Sequence, residues 1–175
     1  MRATKKFVAI MCAVLVCVTV FATMANAASM TLPVLKRGGN NNPNVVSSLQ
    51  RMLNYTVGAG LSIDGSFGPA TEKAVRNFQS KYGLGVDGIV GPVTWNKLFN
   101  KCTVRYGNRN DMVKLVQQSI NGFSPYDCGA SDGSFGPKTK AAVIKCQKYW
   151  GISADGIVGP NTWKHFIMNM HYSCP

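Results

Sequence analysis

Acidic side chains and histidines are scarce in this sequence. Its 175 residues include 19 lysines and arginines but only 7 aspartates and glutamates, for a formal net charge of +12. Glu72 is the only glutamate, and the histidines are His165 and His171. A glycosidase of the usual kind needs two carboxyl groups beside the scissile bond, and a catalytic zinc site needs three protein ligands. The sequence therefore predicts no catalytic residues, no metal site and no cofactor.

Long apolar runs are missing after residue 22. The first residues carry Arg2, Lys5 and Lys6, residues 7–22 are almost wholly apolar, and residues 25–27 form a small-x-small cleavage site. This layout is typical of a secretory signal peptide, and the run is shorter than the roughly 20 residues that span a bilayer. We predict a signal peptide over 1–27, a secreted protein and no membrane association after cleavage. An uncleaved anchor is the alternative.

The excess of positive charge is spread along the chain rather than gathered in runs. No basic stretch interleaved with aromatic residues appears, so nucleic acid is not the expected partner. An exported basic protein meets anionic polymers at the cell surface instead. Anionic wall polymers are therefore candidate partners.

Two motifs occur twice at a constant spacing. Residues 64–69 read Asp-Gly-Ser-Phe-Gly-Pro and recur at 132–137, while residues 87–92 read Asp-Gly-Ile-Val-Gly-Pro and recur at 155–160. Repeats of this kind mark a duplicated structural unit. The sequence predicts one module over 28–101, hereafter copy 1, and a second over 102–175, hereafter copy 2, joined by only a few residues.

Each copy has three segments with apolar residues at helical spacing. Gly-Pro pairs precede the second and third segments, and proline suits the first position of a helix because its missing N–H has no intrahelical partner. Gly83 and Gly151 follow the second segment, where glycine can close a helix in the left-handed conformation. No alternating strand pattern of useful length occurs. The sequence predicts an all-α protein with three helices per copy and Gly/Pro-rich turns.

These patterns resemble a known family. Three motifs follow one another in a fixed order: Val-x-x-Leu-Gln-x-x-Leu, then Asp-Gly-x-Phe-Gly-x-x-Thr with Ala-Val-x-x-Phe-Gln, then Asp-Gly-x-Val-Gly-x-x-Thr-Trp. This series is similar to the three-helix peptidoglycan-binding domain of wall hydrolases. The resemblance covers about 34–100 and 103–168. It implies a cell-wall-associated protein that binds peptidoglycan, through the glycan or the stem peptide, by a module that usually targets a separate catalytic domain. The scarcity of acidic residues and histidines predicts that this chain is itself non-catalytic. The alternative is an adaptor or regulator that recruits or restrains a separate cell-wall hydrolase.

The Asp-Gly-Ser-Phe turns have two interpretations. Aspartate and glycine are explained structurally by backbone hydrogen bonds and positive φ. As a ligand site, the same turn offers a carboxylate, a hydroxyl and a ring to a sugar, and the last residues of the second helices offer aromatic platforms. Trp95 and Trp163 are expected in the core. The candidate ligand-binding residues are Asp64, Gly65, Ser66, Phe67, Tyr82, Asp132, Gly133, Ser134, Phe135 and Trp150.

All four cysteines beyond the signal peptide lie in copy 2, which is consistent with an oxidising compartment. Cys146 occupies the position that Phe78 holds in copy 1, and Cys128 lies in the adjoining loop. Of three possible pairings we favour Cys128 with Cys146, which leaves Cys102 with Cys174 to tie the start of the copy to its end. Free thiols are the alternative.

Overall fold

The computed structural model describes residues 31–123 and 126–172. Within these ranges the regular elements are six α-helices, and β-pairing is confined to isolated bridges. The prediction of an all-α fold with three helices per copy is confirmed. The helices are α1 Pro43–Val57, α2 Pro69–Lys81, α3 Pro92–Lys101, α4 Asp111–Asn121, α5 Pro137–Tyr149 and α6 Pro160–Tyr172.

The helices form where the predicted apolar stripes lie. Copies 1 and 2 bury equivalent residues of their first helices, such as Leu49 and Val116, each 0% exposed. Trp95 and Trp163 are also 0% exposed, as predicted for core residues. Burial of large apolar side chains is the main favourable contribution to folding of such small modules.

Glycine and proline set the ends of the helices. Proline stands at the first turn of α1, α2, α3 and α5. After α2 and α5 the chain reverses at Gly83 and Gly151, both with a φ of +66°. The amide N–H groups of Leu84 and Ile152 donate to the carbonyls of Gln79 and Gln147 at 2.8 and 3.0 Å, which closes each helix. The predicted helix ends are confirmed.

An extended segment precedes the first helix of each copy and runs back to the turn before its third helix. Leu35 pairs antiparallel with Val90, and Val104 pairs with Val158. The indole N–H of Trp163 donates to the carbonyl of Cys102 at 3.0 Å, and the equivalent bond in copy 1 is 2.8 Å long. Each segment is therefore held against the third helix of its own module and the turn that precedes it.

The two modules pack against each other. Residues 32–175 form one compact unit, in which α1 contacts α4 and α6, and α3 contacts α6. Cys102 belongs to both modules, because its N–H donates to the carbonyl of Leu98 at the end of α3 and its own carbonyl accepts the indole of Trp163. The junction leaves no free linker between the copies.

The predicted boundaries at 27 and 101 remain predictions. The predicted signal peptide and Cys174 lie outside the described residues. No helix in the described part of the chain has the length and apolar character needed to cross a membrane.

Candidate functional site

The turn at Asp64 is held by a buried glutamine from α1. The Nε2 group of Gln50 donates to Asp64 Oδ1 at 2.7 Å, to the carbonyl of Ser66 at 3.1 Å and to Thr71 Oγ1 at 3.3 Å. Its Oε1 atom accepts the N–H of Gly65 at 3.1 Å. One amide side chain thus satisfies several polar groups that burial would otherwise leave unpaired.

The same arrangement occurs four times. Gln79, Gln117 and Gln147 each donate to an aspartate, a backbone carbonyl and a threonine hydroxyl, and each accepts a glycine N–H. Gly65 and Gly133 have φ of +70° and +78°, and a Cβ on Gly65 would lie 2.9 Å from the carbonyl oxygen of Pro43. These contacts give the Asp-Gly turns a structural role.

The phenylalanines of these turns point inward. Phe67 is 7% exposed and Phe135 is 2% exposed, so both rings pack in the core. Asp64, Ser66 and Asp132 lie at the surface, and Ser134 is half-buried. A direct contact with a ligand therefore falls to the aspartate and serine side chains, and the ligand role of the turns remains a prediction.

Hydrogen bonds also affect the acidity of the turn aspartates. The amide of Gln50 and the N–H of Ser66 hold the pKa of Asp64 below its usual range. Gln117 and the N–H of Ser134 do the same for the pKa of Asp132, with a smaller contribution from Arg109. Both carboxylates are ionised at neutral pH and act as hydrogen-bond acceptors.

A groove of about 530 Å³ opens beside the first turn of copy 1. One side is the loop after α1, from Val57 to Ser62, and the other side is α2 with Lys73 and Asn77. Asp64 lies at the groove as well. The loop includes the small residues Gly58, Ala59 and Gly60. A volume of this size accommodates a small organic ligand.

Tyr82 and Trp150, the predicted platforms, are both half-buried. The Tyr82 ring lies 4.7 Å from that of Phe78, and the ammonium groups of Lys81 and Lys101 lie 5.5 and 5.0 Å from its centroid. Cations at such distances are attracted to the ring. Tyr82 therefore belongs to a basic aromatic surface at the end of α2.

Trp150 belongs to an aromatic cluster. Its ring stacks on His165 at 5.1 Å with an interplanar angle of 11° and meets Phe166 edge-on at 5.0 Å. Phe123 and Tyr149 add to the cluster from the neighbouring loop and helix. Burial and Lys164 lower the pKa of His165. One face of the indole is thus already covered by the protein.

Glu72 is held in an ion cluster with two arginines. Glu72 accepts from Arg37 Nε at 3.0 Å and from Arg76 at 2.9 Å. Within the described ranges, no three His, Cys, Asp or Glu side chains are placed to hold a metal ion.

The described cysteines are buried thiols. Burial raises the pKa of Cys102 to about 12 and that of Cys146 to about 11, and it also raises the pKa of Cys128. Cys128 and Cys146 are near enough for their charges to interact, although the structure shows no bond between them. The predicted pairing of these two cysteines stays a prediction, and the other pair includes Cys174, which is not described.

A known family matches the chain twice. The family described as "Putative peptidoglycan binding domain" matches residues 42–98 and 109–166. These two segments cover more than half of the sequence, and each contains the first two helices of one copy and the beginning of the third. The chain belongs to this peptidoglycan-binding domain family. Two tandem copies of the domain were predicted, and the match confirms them.

Relatives that match the chain include proteins named as enzymes. The chain is 64% identical over 127 residues to the zinc D-Ala-D-Ala carboxypeptidase of Streptomyces albus G, an alignment covering 72% of this chain and 46% of the relative. It is 31% identical over 147 residues to the N-acetylmuramoyl-L-alanine amidase CwlL of Bacillus licheniformis, covering 78% of this chain and 38% of that one. The chain spans less than half the length of these relatives.

A solved structure also matches. It is a peptidoglycan-binding protein from Clostridioides difficile in complex with glutamine hydroxamate, 36% identical, with a TM-score of 0.35. The match covers 45% of this chain and 43% of that one.

Sequence reasoning missed the two features that shape the peptidoglycan-binding domains here. It did not join each Asp-Gly turn to its glutamine, because the partners lie 14 or 15 residues apart in the first turns. It also missed the groove beside α2. The signal for the groove was present in the small residues Gly58, Ala59 and Gly60, which copy 2 replaces with a longer loop.

Proposed function

We propose that this chain is a non-catalytic, secreted protein that attaches to peptidoglycan, with the groove of copy 1 as its glycan site. The observation that carries the proposal is the family match over both copies, together with the 530 Å³ groove beside α2. The groove is lined by the carboxylate of Asp64 and the amide of Asn77, which suit the hydroxyl and N-acetyl groups of a wall sugar.

Chemistry of the side chains supports the absence of catalysis. Glu72 is engaged by two arginines, and the turn aspartates are engaged by glutamines. Hydrolysis of a glycosidic bond needs a pair of carboxyl groups at a defined separation, one of them able to donate a proton. Carboxylates with a lowered pKa are poor proton donors at neutral pH. We therefore carry over to this chain only attachment to the wall, and not the enzymatic activities in the relatives' names.

The test uses the full chain and purified sacculi. Asn77→Trp fills the groove from an exposed position on α2, while Asn96→Trp places the same ring on an exposed position of α3 outside it. We expect the first variant to lose at least tenfold in affinity for sacculi and the second to bind like the parent. Equal binding by both variants would remove the groove as the site.

Catalysis is tested in the same preparation. Homogeneous protein incubated with sacculi should release neither reducing sugars nor free amino groups. Turnover would overturn the non-catalytic assignment. Retention of the protein on sacculi only when a hydrolase from the lysate is added would favour the adaptor function instead.

Copy 2 supports a second partner, an anionic wall polymer. Helix α5 exposes Lys138, Lys145 and Lys148, where copy 1 has Ala70, Asn77 and Ser80. None of these lysines forms an ion pair within the described residues. A row of unpaired cations attracts a polyanion in a salt-dependent way.

Sacculi with and without their anionic polymers separate this second partner from peptidoglycan. Replacing the three lysines with glutamine should weaken retention on sacculi that carry teichoic acid and leave retention on stripped sacculi unchanged. Loss on both kinds would place the lysines at the peptidoglycan site.

A further inference from the structure

A second cavity, of about 380 Å³, lies between the two copies. Helix α1 forms one wall, α4 forms the opposite wall, and α6 contributes the remainder. Ligand sites favour such boundaries between packed modules, because two independent surfaces converge there. We call it the inter-module cleft. Its lining residues include Ser47, Arg51, Gln118, Ser119, Phe123 and Phe166.

The two long walls come from equivalent helices of the repeat. Arg51 of α1 and Gln118 of α4 occupy matching positions in copies 1 and 2. Ser47, Ser119 and Gly122 are small, which keeps the space between the helices open. The cleft is a consequence of how the copies pack, so neither copy contains it alone.

Apolar side chains line the base of the cleft, and a single cationic side chain lines it as well. Leu115 and Phe166 are 5% and 2% exposed and lie at its base. Among the described residues that line the cavity, Arg51 is the only charged one, and it is half-buried. Within the described part of the chain, Arg51 makes no ion pair with a carboxylate.

A guanidinium group in a partly enclosed site matches a carboxylate in geometry as well as in charge, because it can donate two parallel hydrogen bonds. A neutral sugar has no charged group to pair with the guanidinium. The hydroxyl and amide groups beside Arg51 can bond peptide N–H and C=O groups, and the apolar floor can take small aliphatic side chains.

We propose that the inter-module cleft binds the carboxylate end of a short peptide, and that in the wall this ligand is a stem peptide. The inference rests on the proposed attachment to peptidoglycan. It assigns the glycan and the stem peptide of peptidoglycan to two different sites. The glycan lies in the groove of copy 1, and the peptide carboxylate pairs with Arg51 in the cleft.

The experiment measures binding to the full chain by calorimetry with three probes. They are a synthetic stem peptide with free carboxylates, the same peptide with every carboxylate amidated, and a tetramer of N-acetylglucosamine. Arg51→Gln places in copy 1 the residue that copy 2 has at Gln118, and Arg51→Lys keeps the charge without the two-pronged geometry. Helical circular dichroism of each variant shows that the fold is retained.

We expect the parent to bind the free-acid peptide at least tenfold more tightly than the amidated one. Arg51→Gln should abolish that preference, Arg51→Lys should keep part of it, and both should bind the sugar tetramer like the parent. Ser119→Trp should block the peptide alone, and Asn77→Trp should block the tetramer alone.

Two results overturn the inference. One is equal affinity of the parent for the acid and the amide, or no binding of either. The other is an undiminished acid preference in Arg51→Gln. If the sugar tetramer or sacculi still bind in those cases, attachment to peptidoglycan stands and only the cleft assignment falls. Loss of all binding to sacculi by the parent would remove both.

Discussion

On the second helix of copy 1, Glu72 draws Arg37 and Arg76 into an ion cluster. The same surface of copy 2 holds Tyr106, Lys140 and Ile144, which line a shallow apolar cavity of about 350 Å³. Beneath these different surfaces the four glutamine-held turns keep nearly the same hydrogen-bond lengths. The comparison shows that the fold depends on the buried amides and aromatic residues, while the outer face of the second helix is available for different chemistry.

The largest expected loss of stability comes from replacing a buried glutamine, and comparing the two copies tests whether these glutamines are equivalent. Gln79→Ala and Gln147→Ala each leave a buried glycine N–H without its acceptor. Each also removes the amide that donates to the turn aspartate and to a buried threonine hydroxyl. Each unsatisfied buried group costs about 1–3 kcal/mol, so each variant should lose about 3 kcal/mol of unfolding free energy. Urea denaturation of the full chain measures it.

The control for this pair is Gln118→Ala. Gln118 is exposed, so its replacement should change stability by less than about 0.5 kcal/mol. A loss at Gln147 much smaller than at Gln79 would show that copy 2 relies on another contact, for instance on its cysteines.

Reduction of a disulfide should destabilise copy 2 only. If Cys128 and Cys146 form a disulfide under oxidising conditions, its reduction should lower the unfolding free energy by about 3 kcal/mol on the chain-entropy model. Hydrogen exchange should then increase in α5 and remain unchanged in α2. Peptide mapping of the oxidised protein identifies the bond, and free thiols at both positions would contradict it.

Reactivity gives an independent check on the reduced form. Burial holds the pKa of Cys146 at about 11, and only the thiolate reacts with iodoacetamide. Alkylation of the folded, reduced protein should therefore be slower than that of the unfolded chain at pH 8 and should accelerate as the pH approaches 11. A pH-independent rate would indicate that labelling proceeds through unfolding.

Acid should affect both copies through the turn aspartates. The folded pKa values of Asp64, Asp87 and Asp132 lie below their unfolded values because each carboxylate accepts hydrogen bonds. The stabilisation is therefore present above about pH 4 and is lost as the pH falls through the folded pKa values. Asp64→Asn and Asp132→Asn should each flatten the decline of Tm between pH 5 and pH 2. An unaltered decline in both would assign acid sensitivity to other groups.

The smallest effect concerns the ion cluster. Glu72→Gln should cost roughly 0.5 kcal/mol at low salt and almost nothing in 1 M NaCl, because exposed ion pairs are weak and screened. Lys140→Gln at the equivalent place in copy 2 should leave stability unchanged at either salt concentration. A loss above about 1 kcal/mol at Glu72 would mean that the cluster orders the segment around Arg37.

The sequence was sufficient for the helices because their signals are local. Proline at the first turns and Gly83 and Gly151 at the ends act through backbone conformation, and the apolar stripes report which face is buried. The burial of Phe67 and Phe135 was not predicted, because a ring in a turn belongs to no periodic pattern. Packing between modules was also missed, since the faces that meet, such as that of Ser47 and Ser48, contain no continuous apolar stripe.

Cys102 ends one module and begins the next, and this has a geometric consequence. A junction without slack fixes the rotation and the rise from one copy to the next, whereas the reach of modules on flexible linkers grows only with the square root of linker length. Sites on the two copies are consequently held at one separation and one relative angle. A polymer would engage both copies at once only if its own repeat presented matching groups at that separation. A target bound by both copies would therefore be selected by its spacing as well as by its chemistry.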